Sequence, residues 1–335
     1  MVDRRVAARL AAVGAIALVL AGPAQPAHAT PAPEAPGPVT AVETSAYERT
    51  SHDLLALQAS DGSAAALARL GRLQARDPAV AGVCHAVAHD LGHAAYATGN
   101  RDAATALADR DDVCGGGFTH GVIETALGES EHPARDLLRI CAPAQDGSCF
   151  HGVGHDLMFA TGMDVDGSLR LCDRAPEPIL STRCGEGVFM QLFSADVAGG
   201  HTGHAADAPT ASTALSTCET TRARYAANCW FYSPTTYLGD QPDDFDGAIA
   251  WCRGANDANG RSMCARGVGS RTVKYHPDDP TIGAGVCARA GRLGDACLGG
   301  MGSYWSVHHE GERPPADVCA RLGDDALERR CLAVT

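Results

Sequence analysis

Fourteen cysteines recur along this 335-residue chain with a period near 35 residues, and that recurrence constrains the fold more than any other feature. One series runs Cys84, Cys114, Cys149, Cys184, Cys229, Cys264, Cys297 and Cys331, in steps of 30, 35, 35, 45, 35, 33 and 34 residues. A second series, Cys141, Cys172, Cys218, Cys252, Cys287 and Cys319, lies just upstream of the later members of the first. A repeat of this length is what a stacked pair of helices occupies. Each upstream Cys ends a helical stretch, such as Pro133 to Cys141, and each downstream Cys opens a small-residue-rich helix, such as Cys149 to His155. We call these helices A and B. Polar or glycine-bearing turns such as Gln145-Asp146-Gly147-Ser148 join them. Runs of Val, Ile, Thr and Tyr that would signal strands are missing.

An even number of cysteines in an exported chain favours disulfides over thiolate metal sites, and no C-x-x-C motif occurs. The most economical pairing staples A to B within each unit: 141–149, 172–184, 218–229, 252–264, 287–297 and 319–331. Cys84 and Cys114 remain, tying the first two B helices together. Glycine is abundant and aromatics are few, so each helix pair buries little alone. Closing a loop of about ten residues contributes on the order of 2–3 kcal/mol in the chain-entropy model. The expected fold is all-α: disulfide-stapled helix-pair repeats forming an α-solenoid or an α/α-toroid-like array.

The start of the chain has the marks of export. Residues 1–9 are short and basic, Leu10 to Ala21 are apolar, and Ala27-His28-Ala29 is a small-x-small cleavage site. Residues 1–29 therefore read as a secretory signal peptide cleaved after Ala29. Residues 30–48 read as a Pro-rich, disordered linker, and 49–335 as a single helical-repeat domain of about eight units. The expected location is extracellular. No later stretch is long and apolar enough to span a bilayer. The net charge of −13, more negative once the basic signal is gone, disfavours nucleic acid as a partner.

The cysteine placement loosely resembles Sel1-like repeats, especially the helical cysteine-rich proteins, over roughly Ala64 to Val334. That resemblance implies an interaction scaffold with a concave face for a protein partner.

Numbering each B helix from its Cys as position zero exposes a second pattern. Position 6 is His120, His155 and Met190 in units two to four. Position 2 is Gly116, His151 and Glu186, and position 10 is Glu124, Phe159 and Ser194. In unit one, His85, His89 and His93 fall at 1, 5 and 9, a one-residue offset from the same columns. Spacings of i, i+4, i+8 lie along one helix face. His85, His89, His93, His120, Glu124, His151, His155 and Glu186 are thus expected on one surface. Later units carry Phe231 and Thr235, Arg266 and Ser270, then Gly299 and Ser303 in those columns. The ionisable cluster is local while the repeat is general, so the fold does not require it.

Two imidazoles at i, i+4 can chelate one metal from one helix, and a His or Glu from the next helix completes the set. The expected ligands are His85, His89, His93, His120, His151 and His155, with Glu124 and Glu186 as catalytic carboxylates. Zinc suits such donors best, copper or iron next. His89-Asp90-Leu91-Gly92-His93 resembles the zinc motif H-E-x-x-H with Asp in place of Glu, and one such match does not carry a protease assignment. The leading expectation is a metal-dependent extracellular enzyme, hydrolytic with zinc or oxidative with copper or iron, acting on a small molecule or peptide. The alternative is a non-catalytic solenoid that binds a protein or ligand.

Other features read more plainly. The extra residues between Cys184 and Cys229, within 194–212, form a surface insertion or a lid over the cluster. His308-His309-Glu310 beside Trp305 reads as a polar helix end. Trp230, Phe231, Tyr232 and Tyr237 read as core or as an aromatic wall beside the site. No nucleophile elbow, P-loop or dinucleotide fingerprint is present.

Overall fold

Helix pairs stack in chain order, and from Cys141 onward one cysteine bridge closes each pair. The structure is a computed structural model describing residues 41–111, 113–141, 147–193, 209–276, 279–308, 319–320 and 322–334. The signal segment, most of the 194–212 insertion and the residues from 309 to 318 lie outside these. Residues 39–335 form one compact unit. Every described element is helical.

Three helices come first: α1 (Ala41–Asp61), α2 (Ser63–Gln74) and α3 (Pro78–Thr98), then a short α4 (Ala103–Ala106). Helix α1 takes in 41–48, the end of the stretch expected as linker, and packs on α3. The B helices are α3, α5 (Val113–Gly128), α7 (Gly147–Ala160), α9 (Pro178–Phe193), α11 (Ala226–Tyr232) continuing into α12 (Pro234–Asp240), α14 (Ala258–Tyr275) and α16 (Gly294–His308). The A helices are α6 (Pro133–Cys141), α8 (Val165–Cys172), α10 (Ala214–Thr220), α13 (Phe245–Cys252) and α15 (Pro280–Arg289), and α17 (Asp325–Val334) ends the chain.

All seven expected cysteine pairs are bonded, with Cα–Cα separations from 5.3 to 5.6 Å. No described cysteine is free. Bridges in this number belong to an oxidising compartment, which fits an extracellular protein. No described helix is long and apolar enough to cross a membrane.

One local expectation is corrected. The downstream Cys does not always open helix B: Cys184 and Cys264 lie well inside α9 and α14. The start is set instead by helix-initiating residues, with Pro178 beginning α9 and Asp257 capping α14 by accepting the Gly260 N–H at 2.8 Å. The same Asp-x-x-Gly cap opens α8 at Asp164 and α13 at Asp244.

Neighbouring B helices approach closely where glycine removes the side chain. A Cβ on Gly154 would overlap the Cys184 carbonyl, and one on Gly187 would overlap the His151 carbonyl, so α7 and α9 touch backbone to backbone. Gly269 and Gly300 make the equivalent contact between α14 and α16. Position 4 fills the core, with Phe118, Val153, Val188, Val268 and Met301 all at most 1 % exposed. Helix α16 returns to touch α5, so the row of B helices curls back on itself. In the units with an A–B bridge, position zero binds the A layer, and positions 2 and 6 lie about 200° and 240° around the helix from it. These columns therefore face away from the A layer, toward the inner side of the row.

Candidate metal centre

Four B helices bring the expected residues together. From α3, His85, His89 and His93 lie on one face. His120 and Glu124 come from α5, His151 and His155 from α7, and Glu186 from α9.

Helix α5 opens irregularly. Cys114, Gly115 and Gly116 are left-handed, with φ of 58°, 66° and 73°. The right-handed helix begins only after them. A left-handed non-glycine residue is uncommon; here the 84–114 bridge anchors Cys114.

Hydrogen bonds fix the tautomers of several rings. His85 Nδ1 donates to the Cys114 carbonyl at 2.7 Å. His89 Nδ1 donates to Glu124 Oε2 at 3.2 Å, and His93 Nε2 donates to the same oxygen at 2.8 Å. In neutral His85 and His89 the remaining nitrogen, Nε2, then carries only a lone pair. These two Nε2 atoms face each other at 3.2 Å. His120 Nδ1 stands 3.4 Å from His85 Nε2. On α7, His155 Nδ1 donates to Gln191 Oε1 at 3.1 Å, and its bare Nε2 lies 3.1 Å from His151 Nε2. The His120 and His151 rings stack at 4.8 Å between the two sets.

Among the described residues, three groups hold donor atoms within 4.8 Å of one another: His85, His89 and His120; His120, His151 and His155; and His89, His93 and Glu124. His89 belongs to two groups and His120 to two. Facing lone pairs repel unless a cation lies between them. With metal–nitrogen bonds of about 2.0–2.1 Å, the edge of a tetrahedral site is roughly 3.3–3.4 Å, close to the spacings found here.

The protein holds the central imidazoles neutral, as ligation requires. Burial drives His120 well below its ordinary value, and the neighbouring histidines add to the effect. Burial pushes His155 down to about 3. The cluster opens toward solvent at one edge, where the His93 side chain is 31 % exposed against 10 % for Glu124.

Glu186, and Asp90 of the His89–His93 motif, have partners outside the donor groups. Burial would raise the Glu186 carboxyl, but contacts with His151 and Arg183 hold it below its ordinary value. Its Oε2 accepts from Arg183 Nη1 at 2.8 Å and lies 3.9 Å from His151 Nδ1, outside the three donor groups. Asp90, the odd residue of the His89–His93 motif, faces α1. It accepts from the Tyr47 hydroxyl at 2.8 Å and from Ser51 at 2.5 Å. The motif therefore lacks a carboxylate on the side of the histidine cluster, where Glu124 from the next helix lies against His89 and His93.

Sequence reasoning missed Gln191, one position off the column, and Asp156. The Asp156 carboxyl is 2 % exposed, has no partner for Oδ2, and is pushed well above its ordinary value by burial and then by Glu124. No column rule marks either residue, because each meets the site only through a neighbouring helix.

The fold and site define a disulfide-rich, all-helical repeat protein with a buried cluster of histidines and a glutamate that could hold a metal ion. No protein-family model matches the chain, no curated protein matches its sequence, and no solved structure matches its fold. It fits a cysteine-rich helical repeat only loosely.

Proposed function

We propose that this is a secreted metal-dependent enzyme, released by cleavage after Ala29, with its centre on the first four units. The observation that carries the proposal is the meeting of the Nε2 atoms of His85 and His89 at 3.2 Å while both Nδ1 atoms donate elsewhere. A shared proton would satisfy one such pair. Three adjoining groups with shared members are better served by metal ions. The proposed ligands are His85, His89, His93, His120, His151 and His155. Zinc is the proposed metal, with copper or iron next in order of ligand fit. When bound, the metal supplies Lewis acidity for hydrolysis, or redox capacity if it is copper or iron.

The chain's own groups do the rest. The Cys114 carbonyl and Gln191 orient His85 and His155 from outside, as partners of ligating imidazoles do. Glu124 Oε2 collects the protons of His89 and His93 and is the proposed proton acceptor in catalysis. Glu186, tied to Arg183, is better suited to orienting His151 than to taking a proton. The open edge at His93 favours an enzyme acting on a small molecule or peptide over a scaffold for a protein partner. The Sel1-like scaffold role remains the second reading, supported by the repeat architecture alone.

The test is the metal content of the mature protein, exported through an oxidising compartment and measured by mass spectrometry. About one equivalent or more of zinc, copper or iron is expected. Less than about a tenth of an equivalent, with no uptake on incubation, overturns the proposal.

A further inference from the structure

The inner columns of the later units carry no histidine, yet they hold charge. Arg271 is 5 % exposed. Its Nε donates to Thr235 Oγ1 at 3.0 Å and its Nη1 to Ser270 Oγ at 3.3 Å. Its guanidinium lies 5.5 Å from the Phe231 ring centre and 5.1 Å from that of Tyr232. Arg266, half-buried, donates through Nη2 to Ser303 Oγ. Among the described residues, no carboxylate is paired with either arginine; all their named partners are neutral hydroxyls and rings.

A guanidinium does not shed its proton. A buried charge without a counterion is costly, and proteins normally pair it. Burial holds Arg266 below its ordinary value, the direction expected when no anion stabilises the charge. Thr235 and Ser270 occupy position 6, and Arg266 occupies position 2, of the columns that carry histidine earlier. The two regions adjoin, since Tyr232 feels the charges of Glu186, Arg271 and Arg183, and Glu186 neighbours His151.

We propose that Arg266 and Arg271 form a recess for an oxyanion, a carboxylate or phosphoryl head group, on the molecule that the histidine centre acts upon. The planar fork of arginine matches both groups, while Phe231 and Tyr232, set edge to face at 83°, offer an apolar corner. The link to the histidine centre rests on the function proposed above; the anion recess itself does not.

The experiment uses mature protein stripped of metal by a chelator and dialysed into chloride. Its melting temperature is followed with sodium phosphate and with sodium succinate, against sodium chloride at matched ionic strength. Phosphate, succinate or both should raise the midpoint saturably by about 3 °C or more, and the more effective anion identifies the head group. Arg266→Met and Arg271→Met should each remove most of that rise. Should Arg271→Met fail to fold, the half-buried Arg266→Met still decides. No rise beyond chloride, or a full rise in the folded variants, overturns the proposal. A protein that takes up no metal yet passes this test loses the function proposed above and keeps the anion recess.

Discussion

In α5, α7 and α9 the inner columns hold His120, Glu124, His151, His155 and Glu186. In α11–α12, α14 and α16 the same positions hold Phe231, Thr235, Arg266, Ser270 and Ser303. Around these columns the two halves are built alike. Each has A–B bridges of similar separation, 12 residues for both 172–184 and 252–264. Each has the Asp-x-x-Gly cap and a pair of glycines that lets two B helices touch. The difference teaches which residues the fold needs. A solenoid that stands in its second half on Thr, Ser and Arg does not need histidine in its first. The histidines are therefore free to serve chemistry, and each half provides the control for the other.

The largest difference should appear at position 6. His120→Ala removes a proposed ligand shared by two donor groups, and metal affinity should fall at least about a thousandfold, ~4 kcal/mol. Ser270→Ala, at the same position in α14, should leave metal uptake unchanged. Helical circular dichroism should be preserved in both. Equal effects on uptake would break the contrast, and loss of fold in His120→Ala alone would make the histidine structural.

The staples should show the opposite behaviour. Replacing Cys172 and Cys184 with Ala should cost about 3 kcal/mol, and so should replacing Cys252 and Cys264, because the closed loops match in length. Denaturant midpoints measure both. A markedly larger loss in the first pair would mean that the histidine half depends on its bridge in a way the second half does not. Smaller again, Gly154→Ala and Gly269→Ala should each cost about 1–3 kcal/mol by forcing a backbone contact apart. The Gly154 variant alone should also weaken metal binding, since it separates α7 from α9 beside His155 and Gln191.

Much of this was legible in the sequence because cysteine and helix geometry share one arithmetic. The pairing followed from the spacing, and numbering from each Cys was enough to align His120 with His155. What stayed hidden depends on contacts between helices far apart in the chain. The left-handed turn at Cys114 leaves only the run Gly115-Gly116-Gly117 as a trace. The turning of Asp90 toward Tyr47 and Ser51 needs the position of α1. Gln191 and Arg271 sit one place off the columns and reach the inner side by side-chain length. The return of α16 to α5 sums small rotations over many units, which no local pattern records.

The smallest effect concerns acid, and it separates the A layers of the two halves. Asp136, in the first turn of α6, is held down to about 2 by hydrogen bonds from Arg135 and Ser130. Asp246, in the first turn of α13, pairs with Arg289 at 2.7 Å, but both side chains are more than half exposed. A carboxyl whose folded value lies below its unfolded value adds stability above the unfolded value, near 4, and loses it as pH falls toward 2. Asp136→Asn should therefore lower the denaturant midpoint at pH 6, with the gap to the parent closing steadily between about pH 4 and pH 2. Asp246→Asn should shift the midpoint by less, since an exposed ion pair contributes little. If the Asp136 gap stayed constant through that window, its contribution would be packing rather than charge. The acid sensitivity assigned to the first half's A layer would then have no basis.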